Sequence, residues 1–136
     1  DESFDYADKH FITYAGWSSN FSRHIPLPMQ RATIEKYCER FNIKYSSYEF
    51  ENEHCDWQPA LEHYIKQKPN GIVLCSMYSI TDDAKRRNKL FELALENNVE
   101  LHFANELCFL KNKKDLEQIN DYLNFAVPKK GKHSWE

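Results

Sequence analysis

Two carboxylates, an arginine and a histidine carry most of the chemical potential of this sequence. Glu49 lies near the end of a stretch rich in strand formers, Ile43 to Phe50, and Glu106 follows another, Val99 to Ala104. Arg87 falls three residues after Ala84 and four before Phe91, a spacing that turns it toward the apolar side of a helix. An arginine facing inward is unfavourable unless it meets a carboxylate, a phosphate or a ligand. A guanidinium can hold an anionic group while neighbouring carboxylates act as acid and base, and these are the roles expected of Arg87, Glu49 and Glu106. His102 alternates with Leu101 and Phe103 and joins them as a catalytic candidate. Each has a structural reading beside the chemical one. Arg87 would form a salt bridge to Glu49 or Glu106, and His102 would be a satisfied core or edge histidine.

Weaker candidates surround this set. Ser18, Ser19, Ser76 and Ser79 are loop serines, residues that most often cap helices and form turns. Tyr14, Ser76 and Tyr78 are expected as polar supports for a ligand, and Gln30 starts the inward stripe continued by Ile34. Arg23 with His24 can meet an anion. His54, Cys55 and His63 match no common zinc spacing, so no metal is expected, and no motif calls for a cofactor.

These residues must be positioned by alternating elements. Phe11 to Trp17 reads as a strand. Pro28 suits a first helical turn, and Ile34, Tyr37, Cys38 and Phe41 recur at helical spacing. Glu51 to Asp56 is an acidic turn, Asp56 and Pro59 mark a second helix start, and Lys68-Pro69-Asn70-Gly71 is a stop. Ile72 to Cys75 is the apolar run of a central parallel strand. Thr81, Asp82 and Asp83 suit a helix N-terminus, with Ala84, Leu90, Phe91, Ala94 and Leu95 as the stripe behind them. Leu107 to Leu110 continues the fourth strand or forms a short edge strand. Leu116, Ile119, Tyr122, Leu123 and Ala126 define a last helix. The pattern predicts a three-layer α/β sandwich with a mostly parallel sheet of four or five strands, order 2-1-3-4. Residues 11–127 form the single domain, 1–10 an N-terminal arm and 128–136 a tail. In that layout Gln30, Glu49, Ser76, Arg87 and Glu106 are expected to line one crevice near Tyr14 and Ser18.

Composition narrows the function. With 18 basic and 21 acidic residues among 136, the formal net charge is −3, and the basic runs are short and mixed with acids. Specific nucleic-acid binding would need clustered Lys and Arg and is not expected. The four cysteines form no C-x-x-C pair, and three sit in apolar runs, which suits free thiols in a reducing, cytoplasmic setting. No segment is apolar and long enough to span a membrane.

Two families resemble this arrangement. The layout is similar to the N-terminal catalytic domain of serine resolvases and invertases, with YAGWSS and Gln30 in corresponding places. The nucleophile motif of that family, Tyr-x-Arg-x-Ser, is broken because Gly16 stands where the arginine belongs, and recombinase chemistry is not expected. The chain more closely resembles the sporadic carbohydrate cluster family. That resemblance rests on the Tyr14 loop with Arg23, PMQRATIEKYC at Pro28 to Cys38, SSYEF at Ser46 to Phe50, GIVLCSMYSI at Gly71 to Ile80 with Arg87, and LHFANE at Leu101 to Glu106. It implies a resolvase/flavodoxin-like fold and a role in making surface polysaccharide or lipopolysaccharide. A sugar phosphate or nucleotide sugar would be the ligand, and a homo-oligomer is compatible. The rival expectations are a non-catalytic partner of a carbohydrate enzyme and, more distantly, a degenerate recombinase-like domain.

Overall fold

The computed structural model describes residues 8–15, 25–51 and 57–126. The elements are β1 (Phe11–Ala15), α1 (Leu27–Arg40), β2 (Tyr45–Phe50), α2 (Pro59–Lys66), β3 (Gly71–Leu74), a single 3-10 turn (Met77–Ser79), α3 (Ala84–Glu96), β4 (Glu100–Phe103), β5 (Cys108–Leu110) and α4 (Lys113–Ala126). The sheet order is β2-β1-β3-β4-β5. The first four strands are parallel, and β5 pairs antiparallel with β4. The mostly parallel α/β sandwich and the order 2-1-3-4 therefore hold. Residues 108–110 form the edge strand.

Local chemistry sets these boundaries. Pro28 sits in the first turn of α1, where a missing N–H leaves nothing unsatisfied. Asn42 ends α1 in the left-handed region at φ 56°, and Ile43 N then donates back to Cys38 O at 2.8 Å. That cap delays the second strand to Tyr45, two residues later than its composition suggests. Asp83 caps α3, accepting from Arg86 N at 3.1 Å. Every residue of β3 is buried, as a central strand covered on both faces requires.

Alternation along the strands divides the core. Ile12, Tyr14, Ile72, Leu74, Leu101 and Phe103 face α2, α3 and α4. Phe11, Val73, Cys75 and Ala104 face α1, packing on Ile34, Tyr37 and Cys38. Gly71 is opposite Phe11 in the register, and a Cβ there would run into the Phe11 ring. The expected arm at 1–10 and tail at 128–136 fall mostly outside the described residues.

Candidate functional site

Four parallel strands release their ends at one edge, and α1, α2 and α3 begin there. Two carboxylates organise that edge. Glu106, after β4, accepts from Ser76 Oγ at 2.6 Å and from Met77 N at 3.0 Å. Ser76 is fully buried, and its oxygen accepts in turn from Tyr78 N at 3.1 Å. Asn105 N donates to Cys75 O at 2.8 Å, so the exits of β3 and β4 are joined by backbone as well. Tyr78 is half-buried. Burial first, then its contacts with Tyr122 and Glu106, pushes its phenol up to about 12. Ser76, Tyr78 and Glu106 thus form one hydrogen-bonded group.

The second carboxylate is Glu51, 4% exposed, which sequence reading assigned to an acidic turn. Its Oε2 accepts from the Tyr14 hydroxyl at 3.0 Å and from Leu61 N, in the first turn of α2, at 2.9 Å. Gln58 completes the group from a left-handed backbone (φ 52°). Its Nε2 donates to Tyr14 Oη at 3.2 Å and to Ser79 O at 2.7 Å, and its Oε1 accepts from Thr81 N at 2.7 Å. Neither Glu51 nor Gln58 was among the expected site residues. The available signal was the alternation of β2, which puts Glu51 on the same side as Glu49, toward α2.

The remaining candidates divide. Glu49 is level with Tyr14 across β1 and β2, and it accepts from Tyr64 of α2. Burial, followed by that hydrogen bond, raises the Tyr64 phenol. Gln30 is fully buried in the first turn of α1, and its Nε2 donates to Ile25 O at 3.0 Å. It shares the edge with Tyr14 but lies on the α1 side. Ser18 and Arg23 lie outside the described residues.

His102 is a core residue, which corrects its placement beside Glu49 and Glu106. It is level with Val73 in the middle of the sheet and fully buried under α1. Its Nδ1 is 2.7 Å from the Tyr37 hydroxyl and its Nε2 is 2.9 Å from Glu100 Oε1. Burial lowers its pKa, although Glu100 opposes this, so the ring is neutral near pH 7. A neutral ring with its proton on Nε2 satisfies both neighbours: Tyr37 donates to Nδ1, and Nε2 donates to Glu100. The contact with Glu100 is then a hydrogen bond rather than an ion pair. Burial pushes Glu100 up, but the hydrogen bond from His102 and the charges of Lys111 and Lys9 outweigh it and hold the carboxyl low.

The inward arginine also needs correcting. Ala84 is exposed, and the buried residues of α3 are Arg86, Leu90, Phe91 and Ala94. Arg86, 5% exposed, donates from Nε to Trp57 O at 2.7 Å and pairs with Glu62 Oε1 at 2.6 Å. Its guanidinium also stacks 4.2 Å over the Trp57 ring. Arg86 is the structural arginine. Arg87, beside it in the first turn, is half-buried, and its Nε is sequestered with no hydrogen-bond partner among the described residues. No described carboxylate pairs with Arg87 within 4.0 Å. Burial depresses its pKa, with Asp82 and Asp83 opposing.

Among the described residues no group of three or more His, Cys, Asp or Glu is placed to hold a metal ion. None of the described helices is long and apolar enough to cross a membrane.

Comparison with known proteins defines the class of fold. The crystal structure of the N-terminal catalytic domain of TP901-1 integrase superposes with a TM-score of 0.66, covering 87% of this chain and 94% of that chain at 12% identity. The chain has a resolvase-like α/β fold, and at that identity the likeness extends to the fold alone. No protein-family model and no curated protein matches the chain, so the carbohydrate-cluster resemblance rests on the residues quoted for it.

Proposed function

We propose that the chain binds a phosphorylated or nucleotide-activated sugar at the carboxyl edge of its sheet, as a binding protein of carbohydrate biosynthesis. The observation that carries this reading is Arg87. The guanidinium of Arg87 is held half-exposed in the first turn of α3, with no described carboxylate paired to it, and a phosphate would supply the missing anion to its exposed part. Asp82 and Asp83 flank it and suit the hydroxyls of a sugar.

Binding is favoured over turnover because the candidate acids and bases are engaged elsewhere. Glu106 is held by Ser76 and Met77 N, Glu49 accepts from Tyr64, and His102 lies in the core. Isothermal titration with glucose 1-phosphate and a nucleoside diphosphate glucose tests the reading. Saturable binding that Arg87→Ala weakens tenfold or more supports it. No heat from either ligand, or equal affinity in the variant, removes it.

A second reading, a recombinase-derived domain that binds nucleic acid, draws on the shared fold. The net charge of −3 weighs against it. Tight, salt-sensitive retardation of duplex DNA in a gel would reverse that order.

A further inference from the structure

A cavity of about 300 Å³ opens at the carboxyl edge on the α1 face. Its walls are the first turns of α1, with Pro28, Arg31 and Glu35, and the strand ends Ala15, Tyr48 and Phe50. Strand alternation puts Tyr48 and Phe50 on this face, opposite to Glu49 and Glu51. Arg31 and Glu35 are one helical turn apart and point to the same side.

The polar groups of this cavity are pre-set. The Arg31 guanidinium lies 4.2 Å over the Tyr48 ring. Tyr48 donates its hydroxyl proton to Glu35 Oε2. Tyr45 Oη, 2.8 Å from Tyr48 Oη, must therefore be the donor in that second bond. The Tyr48 ring is fixed by both contacts. Oε1 of Glu35 has no donor among the described residues. Phe50 is 41% exposed at the mouth, an aromatic ring at the end of a strand with one side in solvent.

The occupant follows from these walls. They are mostly apolar and aromatic, and they offer one guanidinium plane and one open carboxylate oxygen. A polyhydroxylated ring needs a partner for each hydroxyl and would lose hydrogen bonds here. A flat heteroaromatic ring gains stacking on two sides and needs only one acceptor for its N–H. The volume is at the lower end of small-molecule sites, enough for a base and not for a whole nucleotide sugar.

We infer that the cavity is a nucleobase subsite, in which the base stacks between Phe50 and the Arg31 plane and donates an N–H to Glu35. For its biological ligand, the base of a nucleotide-activated sugar, this rests on the function proposed above. Base binding itself can be tested alone. Uridine, guanosine, ribose, glucose 1-phosphate and UDP-glucose are titrated separately into the wild-type chain and into Glu35→Gln and Phe50→Ala. A nucleoside should bind saturably and ribose should not. Each variant should weaken the nucleoside and UDP-glucose by roughly tenfold and leave glucose 1-phosphate unchanged. Both side chains are exposed or nearly so, and Gln preserves the acceptor for Tyr48. If Phe50→Ala melts early, Phe50→Leu removes the ring while keeping an apolar filling. No nucleoside saturation at millimolar concentration, or unchanged affinity in both variants, overturns the inference. Loss of glucose 1-phosphate binding alone would instead remove the Arg87 reading and leave the base subsite standing.

Discussion

The face of the sheet under α2, α3 and α4 is filled at its centre by Ile72, Leu74, Leu101, Leu90 and Phe91. The face under α1 alone sets His102, Tyr37 and Thr13 among its apolar residues and ends in a cavity. Three helices bring enough apolar surface to close their side. Among the described helices, one of 14 residues lies on the other side of a five-stranded sheet. The space under α1 is filled in part by a polar relay, Tyr37 to His102 to Glu100, and among the described residues it is left open where α1 begins. Room for a ligand appears where helical cover runs out, while the fully covered face supplies the stability.

The largest expected effect sharpens that contrast. Phe103 is fully buried and packs edge-on against Phe91 at 6.4 Å. Phe103→Ala should cost about 3–5 kcal/mol in urea unfolding, against about 0.5–1.5 for Ile34→Val on the α1 face. The opposite order would break the comparison. Next comes the arginine pair. Arg86→Ala deletes a bond to the Trp57 carbonyl, an ion pair to Glu62 and a stacking contact, and should lower stability by about 1–3 kcal/mol. Arg87→Ala should stay within about 1 kcal/mol by the same measurement, since no described residue pairs with it. Equal losses would mean that Arg87 is structural too.

A smaller effect tests the relay. The folded pKa of His102 lies below the unfolded value of 6.5, so the unfolded chain takes up a proton first as pH falls. Stability is then full above about pH 6.5 and declines below it, by at most about 1.4 kcal/mol per pH unit for one proton. Urea midpoints between pH 7.5 and 5.5 should show the decline, and His102→Gln should flatten it. A rising midpoint on acidification would mean that the ring is charged in the fold. The smallest effect is on reactivity. Burial raises the thiols of Cys38 to about 12, Cys75 to about 11 and Cys108 to about 12. All three are free. They should react with a disulfide reagent at pH 8 only after denaturation, whichever face they occupy.

Much of this was readable from the chain. The alternation of apolar runs with capped, amphipathic segments gave the strands, and the short crossovers between them gave their order and parallel sense. The phase of α3 was not readable in the same way. Counting from Ala84 pointed Arg87 inward. The true stripe runs through Arg86, Leu90 and Ala94, and an arginine enters it only because Glu62 and Trp57 wait on another helix and its approach. Glu51 and Gln58 were missed for a related reason. Their partners are 10 to 44 residues away, and the alternation of β2 gives only the side that Glu51 faces, not what it clasps. His102 was legible as two alternatives, and its central register chose the structural one.

Gln58 has a consequence for how the molecule opens. Its single side-chain amide touches β1 through Tyr14, the 3-10 turn through Ser79 O and the approach to α3 through Thr81 N. Segments of this kind ordinarily fray one at a time, because each is held only by its own backbone. Here one amide is shared, so release of any of the three weakens its hold on the other two. The amide hydrogen of Thr81, although near a segment end, is then shielded from solvent exchange for as long as Gln58 holds all three.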